Sequence, residues 1–126
     1  MKKIIFTDKA PAPIGPYSQA VLSGNTLYTS GQIPLHPVTG ELVTGDIETE
    51  TKQVMENMKA VLEEAGMTFE NVVKSTIFIS NMDDFAKING VYGAYFNEKT
   101  APARETVQVA KLPKNVNVEI SMIAVL

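Results

Sequence analysis

The chain contains no cysteine. That excludes a disulfide scaffold, a thiolate nucleophile and cysteine-ligated zinc. Histidine is nearly as scarce. His36 stands alone in the Pro34–Gly45 stretch, which argues against a His-rich metal site and against a Ser-His-Asp triad. No glycine cluster matches GxGxxG or GxxxxGK[ST], and GxSxG is missing too, so phosphate loops and nucleophile elbows find no support. No segment approaches the ~20 apolar residues of a membrane span, and Met1–Pro11 lacks the apolar run of a signal peptide. The expected address is the cytoplasm. The formal net charge of −3 lacks the basic balance that nucleic acid requires.

Arginine is also rare, and here the scarcity is informative. Arg104 is the only arginine, while the other ten basic residues are lysines. Ordinary surface charge is thus supplied by lysine. Arginine adds a planar fork that grips a carboxylate or phosphate with two parallel hydrogen bonds. The alternative is a leftover residue in a Lys-rich chain, making a surface salt bridge at a strand entrance.

What is present reads as one domain over residues 1–126, with 44% hydrophobic and 20% charged residues. Lys3–Phe6 is a candidate edge strand. Ala10–Pro16 carries three prolines and a glycine and predicts a stiff extended loop. Tyr17–Leu22 and Thr26–Ser30 predict a hairpin around Ser23-Gly24-Asn25. Asp46 caps a helix in which Ile47, Thr51, Val54, Met55, Met58, Val61, Leu62 and Ala65 recur at helical spacing, with Gly66 as its stop. Val72–Ser80 is β-branched and predicts a strand. Asp83–Phe96 predicts a second helix, weakened by about 1 kcal/mol at each of Gly90 and Gly93. Glu105–Ala110 and Val116–Val125 complete the chain as strands. The order predicts an α+β domain with two helices on one face of a mixed sheet.

The last strand makes a further demand. Val118, Ile120, Met122 and Ala124 share one face; Glu119, Ser121, Ile123 and Val125 share the other. Both faces are largely apolar, and two helices cover only one. A second copy of the protein is the economical cover for the other, so the chain is expected to be an obligate oligomer. Glu119 lies on that second face. A buried carboxylate there has a raised pKa or a partner, which suits acid–base work. A solvent-facing rim residue or an ion pair with lysine is the competing role. In the Arg104 strand, Arg104, Thr106 and Gln108 share one face, so Arg104 and Thr106 can line one pocket while Glu105 points away.

Several motifs in register carry a resemblance over essentially the whole chain: Ala12–Gln19 (APIGPYSQ), Thr29–Pro34 (TSGQIP), Pro102–Pro113 (PARETVQVAKLP) and Val118-Glu119-Ile120. Together they resemble the signatures of the YjgF/RidA family of reactive intermediate deaminases. The resemblance implies a chorismate-mutase-like fold and a homotrimer with clefts between subunits. It implies hydrolysis of 2-imino and enamino acids to 2-keto acids and ammonia, without a cofactor or metal. Carried over by motif, Arg104 binds the substrate carboxylate and Glu119 positions or activates water. Tyr17, Ser30, Gly31, Asn89 and Thr106 line the cleft. Two departures stand out. Glu105 follows the arginine where relatives often have a small residue, and Thr106 replaces a frequent cysteine, so thiol regulation is excluded. The stretch before Pro102 is also shorter than in many relatives. The competing functions are a small-molecule-binding regulator that uses the same cleft without turnover, and a ribonuclease, which the acidic charge disfavours.

Overall fold

The structure, a computed structural model, describes all 126 residues. Six strands form one sheet: β1 (Lys2–Ile5), β2 (Ala20–Ser23), β3 (Thr26–Thr29), β4 (Val72–Ile79), β5 (Ala103–Gln108) and β6 (Val118–Val125). Two helices, α1 (Ile47–Glu64) and α2 (Phe85–Gly93), precede β4 and β5. The strand order is β1-β2-β3-β6-β4-β5. Every neighbouring pair is antiparallel except β4 and β5, which run parallel because α2 carries the chain back between them. The fold is the expected α+β arrangement.

Helix α1 forms where cap, stripe and stop agree. The Asp46 carboxylate accepts the Thr49 N–H at 2.7 Å, and that bond holds its carboxyl below the usual carboxylate range. Ile47, Thr51, Val54, Met55, Met58, Val61 and Leu62 are buried along one stripe. Gly66 reverses the chain at φ 75°, and the Met67 N–H closes onto the Leu62 carbonyl at 2.9 Å. The stripe packs on Val118, Ile120, Met122 and Ala124 of β6, all buried, to form one core. No helix is long and apolar enough to cross a membrane.

The opposite face of the sheet carries no helix. Ile4, Val21, Tyr28 and Ile123 stand in register across four strands there, with Ile4 and Tyr28 each about half exposed. In β6, Glu119, Ser121, Ile123 and Val125 are only partly covered, alternating with the fully buried set. This is the half-covered apolar face that the sequence pattern requires.

Boundaries differ from expectation at several places, among them the last strand, which begins at Val118 rather than Val116. The hairpin's first strand begins at Ala20 rather than Tyr17, because Ser18 and Gln19 bond to loops instead of a neighbouring strand. The second helix begins at Phe85, after a 3₁₀ turn over Met82–Asp84 capped by Asn81, and ends at Gly93. The fifth strand starts early, at Ala103, since its pairing with β4 begins opposite Lys74.

Candidate functional site

Two concave regions contain the residues of interest, and they lie on opposite faces of the sheet. The first is a cavity of about 390 Å³ whose walls include Tyr17, Ser30, Gly31 and Glu119, with Ile14 and Lys114 at its edges. Strand β6 delivers Glu119: Ile120 faces the core beside Ile77, so Glu119, one residue earlier, faces away from the helices. Its carboxylate makes no hydrogen bond within the chain and lies against Gly31, where a methyl group would collide with Oε2 and come within 2.8 Å of Cδ and Cγ. Burial pushes the Glu119 carboxyl above the usual carboxylate range.

Gly31 contributes more than space. Ser30 and Gln32 donate their N–H groups to the Gln19 and Ile120 carbonyls at 2.9 and 2.8 Å, while the Gly31 N–H between them is unpaired. An unpaired donor thus sits beside an unpartnered carboxylate in one cavity. The Ser30 hydroxyl is already engaged, donating to the Ser18 carbonyl at 2.6 Å. That bond commits its one hydroxyl proton and fixes the Ser30 side chain against the wall. Tyr17 is half exposed, and its hydroxyl accepts the Ile14 N–H at 3.4 Å.

The second region, about 360 Å³, is lined by Asn89, Tyr92, Phe96, Glu98 and Arg104. Parallel pairing puts Arg104 beside Ser75, whose side chain is buried under α2, so the guanidinium lies on the helix-covered side. It donates through Nη1 to the Asn89 Oδ1 at 2.6 Å. Its central carbon lies 5.1 Å from the Tyr92 ring centre and 5.6 Å from that of Phe85, within cation–π range. Tyr92 is itself anchored, its hydroxyl donating to Ser75 Oγ at 2.9 Å. No carboxylate lies within salt-bridge distance of Arg104; Glu105 points to the other face and pairs with Lys74 at 2.9 Å. The guanidinium is held on one edge and leaves the rest of its fork open.

Thr106 lies on the Arg104 face, one register step further along, but in neither cavity. Its buried hydroxyl has no partner. The structure thus gathers Tyr17, Ser30, Gly31 and Glu119 in one place, and Arg104 and Asn89 in another. Gln19, Lys114, Phe85 and Tyr92 were missed as site residues. A signal for the last two was available: Phe85, Asn89 and Tyr92 follow at four and three residues and form one helical stripe.

The fold matches that of known proteins over the whole chain. The family model described as endoribonuclease L-PSP matches residues 7–126. A RutC family protein from Pyrococcus horikoshii is 55% identical over 124 residues, covering 98% of both chains. The crystal structure of a conserved Rid family protein, YyfA, from Yersinia pestis superposes with a TM-score of 0.97 at 49% identity, covering 100% of both chains. This chain belongs to the YjgF/RidA family. Another solved relative, Escherichia coli TdcF with bound serine, has a TM-score of 0.92 at 47% identity, covering 98% of each chain. The chain spans 98–100% of the length of these YjgF/RidA relatives, and Gly31, Arg104 and Glu119 each shape one of the two cavities.

Proposed function

We propose that this YjgF/RidA protein is a hydrolase of reactive 2-imino and 2-enamino acids, among them 2-iminopropanoate and 2-iminobutanoate, yielding 2-keto acids and ammonia. The observation that carries the reading is the division of the site. Each cavity holds half of what the reaction needs, a carboxylate-binding fork in one and an unpartnered carboxylate in the other. They are separated by the sheet within one chain. In a homotrimer, with the β5 edge of one copy set against the helix-free face of the next, the fork of one meets the carboxylate of its neighbour.

The chemistry follows from the parts. The open side of the Arg104 fork binds the substrate carboxylate, a charge-assisted contact worth about 1.5–3 kcal/mol. The Gly31 N–H and Tyr17 orient the rest of the small molecule. Water adds to C2 as Glu119 takes its proton, and the C=N electron pair moves to nitrogen, which is protonated. The resulting carbinolamine collapses as its hydroxyl proton passes through Glu119 to nitrogen. The C–N bond breaks, ammonia leaves and the keto acid remains. An enamine first takes a proton at C3. A carboxylate in this role contributes roughly 10²–10⁴ in rate. Burial raises the Glu119 pKa, which makes it a stronger proton acceptor than an ordinary carboxylate.

A second reading has its own support. The similarity to TdcF with bound serine favours recognition of a small 2-amino acid, as a regulator without turnover would require. An assay with semicarbazide separates them. An amino acid oxidase or a threonine dehydratase supplies the imine, and semicarbazone formation is followed. Wild-type protein is expected to suppress it, and Arg104→Ala to fail. No suppression by well-folded wild-type protein would sink the hydrolase reading in favour of the regulator.

A further inference from the structure

The proline-rich segment Pro11–Tyr17 walls the 390 Å³ cavity through Pro11, Ala12, Ile14 and Tyr17, yet little burial holds it. Ile14 is 73% exposed and Tyr17 50%. Its prolines have no N–H to offer, and its internal bonds are short-range, Tyr17 N–H to the Gly15 carbonyl and Ile14 N–H to the Tyr17 hydroxyl. Two side chains tie down its ends: the Ser30 hydroxyl holds the Ser18 carbonyl just past Tyr17, and Gln19 holds the start. Gln19 is 2% exposed. Its Oε1 accepts the Thr7 N–H at 2.7 Å, and its Nε2 donates to the carbonyls of Thr7 and Pro11, both at 2.9 Å, and of Ala10 at 3.3 Å. Acceptor and donor are both matched, which fixes the amide's orientation. The Gln19 carbonyl meanwhile accepts the Ser30 N–H at 2.9 Å, next to Gly31.

We infer that Gln19 is a positioning residue of the site: its side-chain amide holds the Thr7–Pro11 backbone at the head of the proline-rich wall while its backbone carbonyl holds the Ser30–Gly31 floor, so that Ile14 and Tyr17 stand at a set distance from Glu119. The wall is preformed, and the residues on it meet the substrate side chain without an ordering cost at binding. This rests on the cavity being the substrate site proposed above, but not on turnover there, since a bound keto acid would meet the same wall.

The test uses Gln19→Met, which keeps length and loses all four bonds, and Gln19→Glu, which sets an oxygen against three carbonyls. Asn71→Ala is the control: Asn71 donates to the Val125 carbonyl at 3.0 Å at the far end of the sheet and touches neither cavity. Steady-state hydrolysis of 2-iminobutanoate and calorimetric binding of 2-oxobutanoate are measured on each. Both Gln19 variants are expected to raise KM and the keto acid Kd about tenfold with kcat within about threefold, as a displaced binding wall dictates. The control lowers Tm with KM and Kd unchanged. Gln19 variants that fold and bind like wild type overturn the inference, and so does an equal loss of binding in Asn71→Ala, which would mean general softening. Absent turnover in wild type strikes the hydrolase reading alone; the binding arm still decides on Gln19. Should neither Gln19 variant fold, hydrogen exchange on the wild-type protein decides. The Thr7 amide is expected to be protected like a core strand amide, and exchange as fast as that of Ala12 overturns the staple.

Discussion

The two halves of the site are built on opposite plans. Around Arg104 everything is held: Asn89 takes one nitrogen, the Phe85 and Tyr92 rings flank the charge, and Ser75 holds Tyr92 in turn. The Glu119 carboxylate, by contrast, is bonded to nothing and rests in its cavity against a glycine. A group that must recognise one shape gains from fixed partners, because its geometry is set before the ligand arrives. A group that must gain and lose a proton is poorly served by partners that stabilise one charge state. On the proposed reading, recognition falls to the first half and proton transfer to the second.

The largest break in this comparison is expected at Glu119. Glu119→Gln keeps shape and removes the proton acceptor, so kcat should fall roughly 10²–10⁴-fold while keto acid affinity stays within a few-fold. Equal loss of kcat and affinity would move Glu119 to the recognition side. In wild type, kcat/KM should climb as pH rises through a point above the ordinary carboxylate range, and the variant should lack that limb. The stability change has the opposite sign. A carboxyl whose folded pKa is raised holds its proton longer when folded than when unfolded. Wild-type stability therefore declines as pH rises from the unfolded pKa through the folded one, and the penalty is complete above both. Thermal melts should find Glu119→Gln more stable than wild type at neutral pH and indistinguishable in acid.

Gly31→Ala attacks the same half through space. Its methyl group would meet the Glu119 carboxylate and side-chain carbons, so the carboxylate must swing away. Activity should fall about 10²-fold, the cost of moving a reacting group by about 1 Å. A wild-type rate would show that Glu119 needs no fixed position.

Arg104→Lys breaks the other half. The charge survives and the fork does not, so KM should rise about tenfold to 100-fold, matching the ~1.5–3 kcal/mol of a charge-assisted bond, with any oligomer intact by light scattering. Full activity in the variant would mean that a point charge suffices and that the rings and Asn89 hold the arginine for some other reason.

This division was only partly legible in the sequence. Helix α1 could be read because its cap, stripe and stop agree, and Glu119 could be set on the helix-free face because β6 alternates without a break. The face of Arg104 could not be read. In β5, Arg104, Thr106 and Gln108 alternate with Glu105 and Val107, and neither set marks the core, since β5 is an edge strand with little buried on either side. Only the parallel register that sets Arg104 beside Ser75 settles it. The Gln19 staple reaches back as far as Thr7 and leaves no periodic trace. Nor did spacing separate the two cavities: the motifs that carried the resemblance mix residues from both.

The smallest effect sharpens the comparison most, because it separates ring from hydroxyl at Tyr92. Burial raises the Tyr92 phenol's pKa, while the Ser75 bond and the Arg104 charge oppose the shift. In Tyr92→Phe the ring under the guanidinium survives and the Ser75 hydroxyl loses its partner in the core. Stability should drop by about 1 kcal/mol, with KM within about twofold of wild type. Tyr92→Leu removes the ring, and the loss of a cation–π contact of about 0.5–2 kcal/mol should loosen the fork and raise KM about threefold to tenfold. If the two variants raise KM equally, the hydroxyl anchor is what positions Arg104. If neither does, Asn89 and the Phe85 ring hold it without help from Tyr92.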